Sequence, residues 1–265
     1  MARNQWQDWI NSPFYALYYE ATAPSAVSPA LLSIIKKSRK AAGQQILIAG
    51  CGTGKGCEEL AALGYDVTGT DYSFALIEKA LTIQHERLHF YQHDLRLPFW
   101  SNYFQLAFCT AAAFGHYDTR REHENLLRTI AGSLLPGGVL VLEHSGTGVH
   151  EQDADSKQLI GDTFYSVEQR VDESHYYARI TVTDPSLVEP VHYIKQKEKF
   201  SVAELTGMLE NQGLSVQAMY GDDSLGKFDE RTSGKIVMVA KKLAAGKEDA
   251  EKRLYSDGRT GDALT

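Results

Sequence analysis

The 265-residue sequence predicts an α/β protein: a doubly wound sheet, mostly parallel with an antiparallel last strand, carrying an inserted antiparallel β-meander. Three observations predict it. From Gln45 to Glu143, short apolar runs alternate with stretches of helical periodicity, a pattern that builds a parallel sheet covered by helices on both faces. After Glu143 the alternation stops, and three runs of β character, TFYSVEQRV, YYARITVT and VHYIKQKEKF, crowd into residues 163–200. Two last β-rich runs, LSVQAMYG and KIVMVAKK, suit a closing antiparallel pair.

Residues 1–43 read as a helical cap. Trp6, Trp9 and Ile10, then Phe14, Leu17 and Tyr18, recur at helical spacing. Ser28-Pro29 supplies an N-cap and a first-turn proline for a helix through Leu31, Leu32, Ile34 and Ile35. The sheet domain is expected over 44–242. Its first strand is 46–49, followed by a helix over 55–63 that Gly64 stops. A strand at 66–70 leads to a helix capped by Ser73, with Leu76, Ile77, Ala80 and Leu81 inward. Strands at 88–92 and 105–110 come next. Thr119-Arg-Arg-Glu122 is a capping box before Leu126, Leu127, Ile130 and Leu134. Pro136-Gly137-Gly138 turns the chain into a strand at 139–143. A second capping box, Ser201-Val-Ala-Glu204, opens the helix after the meander. Residues 243–265 read as a polar tail.

Composition narrows the function. Hydrophobic content of 43% and charged content of 23% are those of an ordinary globular protein. The formal charge of -7 disfavours nucleic acid as a partner. Three cysteines, Cys51, Cys57 and Cys109, with no C-x-x-C spacing, form neither a disulfide framework nor a zinc knuckle. His85, His89 and His93 fall on a turn and strand, where four-residue spacing separates them by roughly 13 Å. No metal site is expected there. The opening residues hold no apolar signal core, and no stretch is long and apolar enough to span a bilayer. The expectation is a cytoplasmic enzyme or binding protein without a membrane partner.

The stretch ILIAGCGTGKG carries the chemistry. A phosphate-binding P-loop fails at two of four fixed positions, with Ala49 in place of the first glycine and Gly56 in place of the hydroxyl. The dinucleotide fingerprint G-x-G-x-x-G fails as well, because its last position holds Lys55 or Cys57. What stands is G-x-G-x-G, Gly50, Gly52 and Gly54, a sharp strand-to-helix turn against which a ligand can lie. Asp71 ends the second strand and suits the two hydroxyls of a ribose. Asp94 ends the third strand and suits an exocyclic adenine amine. Ligands of parallel α/β sheets bind at these strand ends.

With these residues in view, ILIAGCGTG, VTGTDYS, QHDLRLPF, FQLAFCTAAAFGHYD and LLPGGVLVLEH resemble the successive motifs of class I S-adenosylmethionine-dependent methyltransferases. The aromatic FYALYY and the β insertion are similar to small-molecule members related to sugar N-methyltransferases and glycine N-methyltransferase. The resemblance implies a Rossmann-like fold with S-adenosyl-L-methionine as cofactor. It implies cofactor contacts at Tyr18, Gly50, Cys51, Gly52, Thr53, Gly54, Asp71, Tyr72, Asp94, Leu95 and Thr110. Two departures stand out: Ile48 occupies a position that is usually acidic, and Gln105 one that is commonly aspartate.

His116 and His144 follow the fourth and fifth strands, near the expected methyl group, and are the candidate catalytic bases. Tyr15 and Tyr19, with Arg179 and His192 of the meander, are candidate substrate contacts. The meander's apolar face, with Tyr176, Ala178, Ile180 and Val182, needs cover. The open end of the parallel sheet, a second subunit of a homodimer, or both would provide it. The expected reaction is methyl transfer to an amine or hydroxyl of a small molecule. The alternative is a non-catalytic S-adenosylmethionine-binding or scaffold protein with a degenerate pocket, which Ile48 favours.

Overall fold

The protein is described by a computed structural model covering residues 5–23, 27–37, 43–145 and 154–244. The expected polar tail, from residue 245 onward, lies outside them. Three short helices come first: α1 (Gln5–Ile10), α2 (Tyr15–Thr22) and α3 (Pro29–Lys37). Then β1 (Gln45–Ala49), α4 (Lys55–Ala62), β2 (Asp66–Asp71), α5 (Phe74–Leu81), β3 (Leu88–Gln92) and β4 (Phe104–Cys109) alternate. They are followed by α6 (Arg120–Ser133) and β5 (Leu134–Ser145). A run of strands follows: β6 (Ala154–Ile160), β7 (Thr163–Val171), β8 (His175–Thr183) and β9 (Val191–Glu198). The described chain closes with α7 (Val202–Glu210), β10 (Leu214–Tyr220) and β11 (Lys235–Lys242).

One seven-stranded sheet has the order β10-β11-β5-β4-β1-β2-β3. β1 pairs in parallel with both β2 and β4, so the strand order reverses at β1. β11 runs antiparallel to β5 on one side and β10 on the other. This is the doubly wound, mostly parallel arrangement expected, with the last strand reversed. Successive residues of a strand face opposite sides of a sheet, and the core divides accordingly. Leu47, Ala49, Ala107 and Leu142 pack on one face with α6 and α7. Ile46, Ile48, Leu106 and Val141 pack on the other with α3 and α4. Burial on both faces is why these central strands read as unbroken apolar runs.

Both capping boxes form, with Thr119 accepting from the Glu122 N–H and Ser201 from the Glu204 N–H. Ser73 behaves differently. It makes no side-chain cap; its hydroxyl donates instead to the Ile10 carbonyl, tying α5 to α1. β5 begins at Leu134, directly after α6, and runs through the Pro-Gly-Gly turn expected at 136–138. Gln105 accepts from the Gln45 N–H at 2.7 Å, so the group standing for the usual aspartate joins β1 to β4.

The meander has four strands, in the order β6-β7-β8-β9. The added strand, ADSKQLI, is largely polar and lacks the alternation that marks a strand. Its signal lies in the turn: Gly161-Asp162 joins Ile160 to Thr163, and Gly161 sits at φ +60°, as a glycine-first two-residue hairpin requires. The meander's apolar face is covered within the same chain. Trp9, Tyr165, Val167, Ile180 and Val182 form a third core, with Phe14, Tyr15 and Tyr18 packed against it. The Tyr165 hydroxyl donates to the Phe14 carbonyl at 3.0 Å.

Candidate active site

The glycine turn is held by β2 rather than by a side chain of β1. The N–H groups of Gly50 and Cys51 both donate to the Thr70 carbonyl, at 2.8 and 3.0 Å. Asp71 then accepts from the Gly52 N–H through one carboxylate oxygen and from the Ser73 N–H through the other, each at 2.9 Å. Burial raises the pKa of Asp71, and the N–H groups of Ser73 and Gly52 oppose the rise. Ile48, at the usually acidic position, is buried in the apolar layer beneath the turn. The three glycines have φ of +77°, +58° and +82°, a region that side-chain-bearing residues avoid. A Cβ on Gly52 would lie 1.9 Å from the Tyr19 hydroxyl, so the N-terminal segment closes directly over the turn.

Two cavities meet above Gly50. The smaller, of about 90 Å³, is walled by Asp71, Tyr72 and Leu95 with Trp6 and Trp9. The larger, of about 800 Å³, runs from Cys51, Thr53 and Thr110 to the end of β5, with the meander along one side. Tyr19, Gly50, His116 and Lys195 border both. A space of this size, at the carboxyl ends of parallel strands and at the point of strand reversal, is where such sheets take ligands.

His116 is buried, and its Nδ1 lies 2.8 Å from the Gln196 carbonyl oxygen. A carbonyl only accepts, so Nδ1 carries the proton and Nε2 of the neutral ring keeps its lone pair. Burial, then Lys195 and Lys197, hold His116 well below the usual histidine pKa. His144 does not reach either cavity. It is fully buried between Phe114 and Phe200, and neither ring nitrogen is hydrogen-bonded among the described residues. Strand parity explains this. Glu143 and His144 face opposite sides of β5, and the cavity lies on the side of Glu143.

Other expected residues are also redistributed. Tyr18 is away from both cavities, packed on Trp9 and Tyr165 with ring centroids 5.5 and 5.1 Å apart. Its neighbours Tyr15 and Tyr19 line the smaller cavity. Asp94 is turned to Arg96, whose guanidinium grips both carboxylate oxygens and also reaches Glu122. Burial alone would raise the Asp94 pKa, but Arg96 holds it below the ordinary value. Leu95, next in sequence, is the residue that faces the smaller cavity. Arg179 and His192 are exposed on the outer face of the meander, where His192 contacts Thr181. The cavity wall comes instead from Tyr176, Tyr177, Lys195 and Lys197. Among the described residues, no cluster of three or more acidic, cysteine or histidine side chains is arranged to hold a metal. No helix among them is long and apolar enough to cross a membrane.

Comparison with known proteins bears on the fold. Residues 47–142 match the methyltransferase domain family. No curated protein sequence matches the chain. Among solved structures, the fold is similar to that of the CcbJ methyltransferase from Streptomyces caelestis, at 18% identity and a TM-score of 0.70, covering 89% of this chain and 98% of that one. It is similar to the sugar N-methyltransferase KedS8 from Streptoalloteichus sp., at 17% identity and a TM-score of 0.67, covering 87% and 93%. It is also similar to CalS10 from Micromonospora echinaspora, an amino pentose methyltransferase solved with bound S-adenosylmethionine, at 19% identity and a TM-score of 0.64, covering 88% and 97%. The fold is that of the class I methyltransferases. The glycine turn and Asp71 fall within the 47–142 match to the methyltransferase domain.

Proposed function

We propose that the protein transfers a methyl group from S-adenosylmethionine to an amine or hydroxyl of a small molecule. The observation that carries this is the pair of cavities joined over Gly50, with His116 on their common border. Asp71, Tyr72 and Leu95 surround the smaller cavity and suit the nucleoside end of the cofactor. Cys51, Thr53 and Thr110 open onto the larger one and suit its methionyl end. The cofactor supplies a methyl group already electrophilic on a sulfonium. The chain's own work is therefore alignment, exclusion of water and removal of a proton. Tyr19 and the N-terminal helices close the turn from above. The meander and β5 bound the space left for the acceptor. Neutral His116, with Nδ1 fixed by Gln196, presents Nε2 as the base. Similarity to a sugar N-methyltransferase and an amino pentose methyltransferase supports a small polar acceptor.

The test has two stages. Calorimetric titration with S-adenosylmethionine and S-adenosylhomocysteine measures the cofactor site. Transfer of an isotope-labelled methyl group into a metabolite extract, followed by mass spectrometry, measures the reaction. Binding with transfer is expected, and His116→Gln is expected to lower turnover while keeping cofactor affinity. Binding without transfer to any component would favour the non-catalytic alternative.

A further inference from the structure

Glu143 stands at the end of β5 with only 7% of its surface exposed, and it lines the larger cavity. Its Oε1 accepts from the Ser28 hydroxyl at 2.6 Å. Ser28 also precedes α3, so this bond fastens the N-terminal segment to the sheet. Lys235 of β11 reaches the same oxygen at 3.7 Å but lies closer to Asp223, at 2.7 Å. Two carboxylates thus share the Lys235 ammonium. Oε2 of Glu143 makes no hydrogen bond among the described residues. That oxygen is left for a ligand in the cavity, and a carboxylate oxygen bonds a charged donor more strongly than a neutral one.

Position adds to the case. Cys109 of β4 pairs with Leu142 of β5, so the next residues, Thr110 and Glu143, lie side by side at the carboxyl edge of the sheet. Both open into the cavity. Along the meander the same cavity is bordered by Lys195 and Lys197, and the Lys197 ammonium donates to Ser145 at 2.9 Å.

We infer that the acceptor substrate is an amine, and that Glu143 selects it over the corresponding alcohol by binding its cationic form through Oε2; the ammonium then gives one proton to Nε2 of His116, and the neutral nitrogen takes the methyl group from the sulfonium, leaving S-adenosylhomocysteine. Calling the amine a substrate rests on the methyltransferase reading; the cation site itself does not. Ser28 then has a positioning role. Its hydroxyl holds one carboxylate oxygen and leaves the other turned to the cavity. The bland alternative, a carboxylate that only ties α3 to β5, would need no charge, since a neutral glutamine accepts the same bond.

Matched probes separate the two. The full-length protein, saturated with S-adenosylhomocysteine, is titrated with cyclohexylamine and with cyclohexanol under ligand-observed NMR. The amine is expected to bind at least about tenfold more tightly than the alcohol, the scale of a hydrogen bond to a charged group. Glu143→Gln keeps the acceptor for Ser28, and is expected to abolish that preference without changing alcohol binding. Ser28→Ala keeps the charge, and is expected to retain the preference. Equal binding of the two probes by the native protein, or binding of neither, overturns the inference. So does a Glu143→Gln protein that keeps the amine preference, or one that loses affinity for S-adenosylhomocysteine instead. If the native protein prefers the amine yet fails to bind S-adenosylhomocysteine, the methyltransferase reading falls and the cation site stands.

Discussion

At the glycine-turn end of the cavity the walls are mostly backbone; at the end beneath the meander they are side chains from distant segments. The turn is organised by residues 49–54 and the end of β2, through N–H groups that bond to Thr70 and Asp71. The far end brings together Ser28, Glu143, Lys197, Asp223 and Lys235, spread over most of the described chain. Backbone hydrogen bonds hold a ligand through geometry shared by many proteins. Side chains collected from afar are free to change one at a time. The first end therefore suits a ligand common to a whole family, and the second suits a ligand particular to this protein.

The largest effect is expected from Gly52→Val, which breaks the backbone end. Valine would have to hold φ near +58° with its Cβ against the Tyr19 hydroxyl. Strain and clash together are expected to weaken S-adenosylhomocysteine by more than about 100-fold, while circular dichroism stays near native. Normal calorimetric binding by this variant would show that the turn does not touch the cofactor.

Asp71→Ala comes next. The variant loses a charged acceptor worth about 1.5–3 kcal/mol per bond, so cofactor affinity should fall about 10- to 100-fold. The melting temperature should fall too, because the Gly52 and Ser73 N–H groups lose their partner. Unchanged affinity would remove the ribose role from Asp71.

A third test concerns the histidines around the side-chain end. His116, His123 and His144 all have depressed pKa values, chiefly through burial, and His123 falls to about 4 from 6.5. Above pH 6.5 they are neutral in both folded and unfolded chains and stability is at its full value. Below pH 6.5 the unfolded chain takes up protons that the folded chain refuses, so stability falls as pH drops toward 4. For His123 alone the loss is about 3 kcal/mol. Urea unfolding at stepped pH measures it. His144→Leu should flatten this acid limb, leave turnover unchanged, and hold or raise stability at pH 7 by about 1 kcal/mol, since it removes an unbonded polar ring from an apolar pocket. A large fall in turnover would return His144 to the chemistry. The smallest effect is expected from Arg179→Ala with His192→Ala. Both residues are exposed on the outer face, and stability should stay within about 0.5 kcal/mol with turnover unaltered.

The same contrast governs what the sequence makes legible. The glycine turn and Asp71 are local, and a strand followed by G-x-G-x-G states its own geometry. The alternation of central strands and helices is equally local, as are the two capping boxes. Glu143 and His144 are adjacent letters with similar chemistry. Only the parity of β5 relative to α3 and α6 says which one meets the cavity. Tyr18 and Tyr19 differ in the same way, one facing the meander and the other the turn. β6 hides behind a polar composition, because it is an edge strand whose pairing comes through backbone bonds to β7. The cover over the meander was unreadable for another reason. The aromatic residues of α1 and α2 and their partners on β7 to β9 are each ordinary helix or strand patterns, and nothing in either pattern names the other.

That last pairing has a consequence for how the chain acquires its structure. Phe14 and Tyr165 are joined across 151 residues. The helices of six and eight residues that carry Trp9, Tyr15 and Tyr18 are too short to persist alone. During synthesis at about 5–20 residues per second they leave the ribosome about 8–30 s before the strands they pack against. The earlier-made partner of this pairing settles only with the later one, and its aromatic side chains stay exposed until the meander exists to receive them.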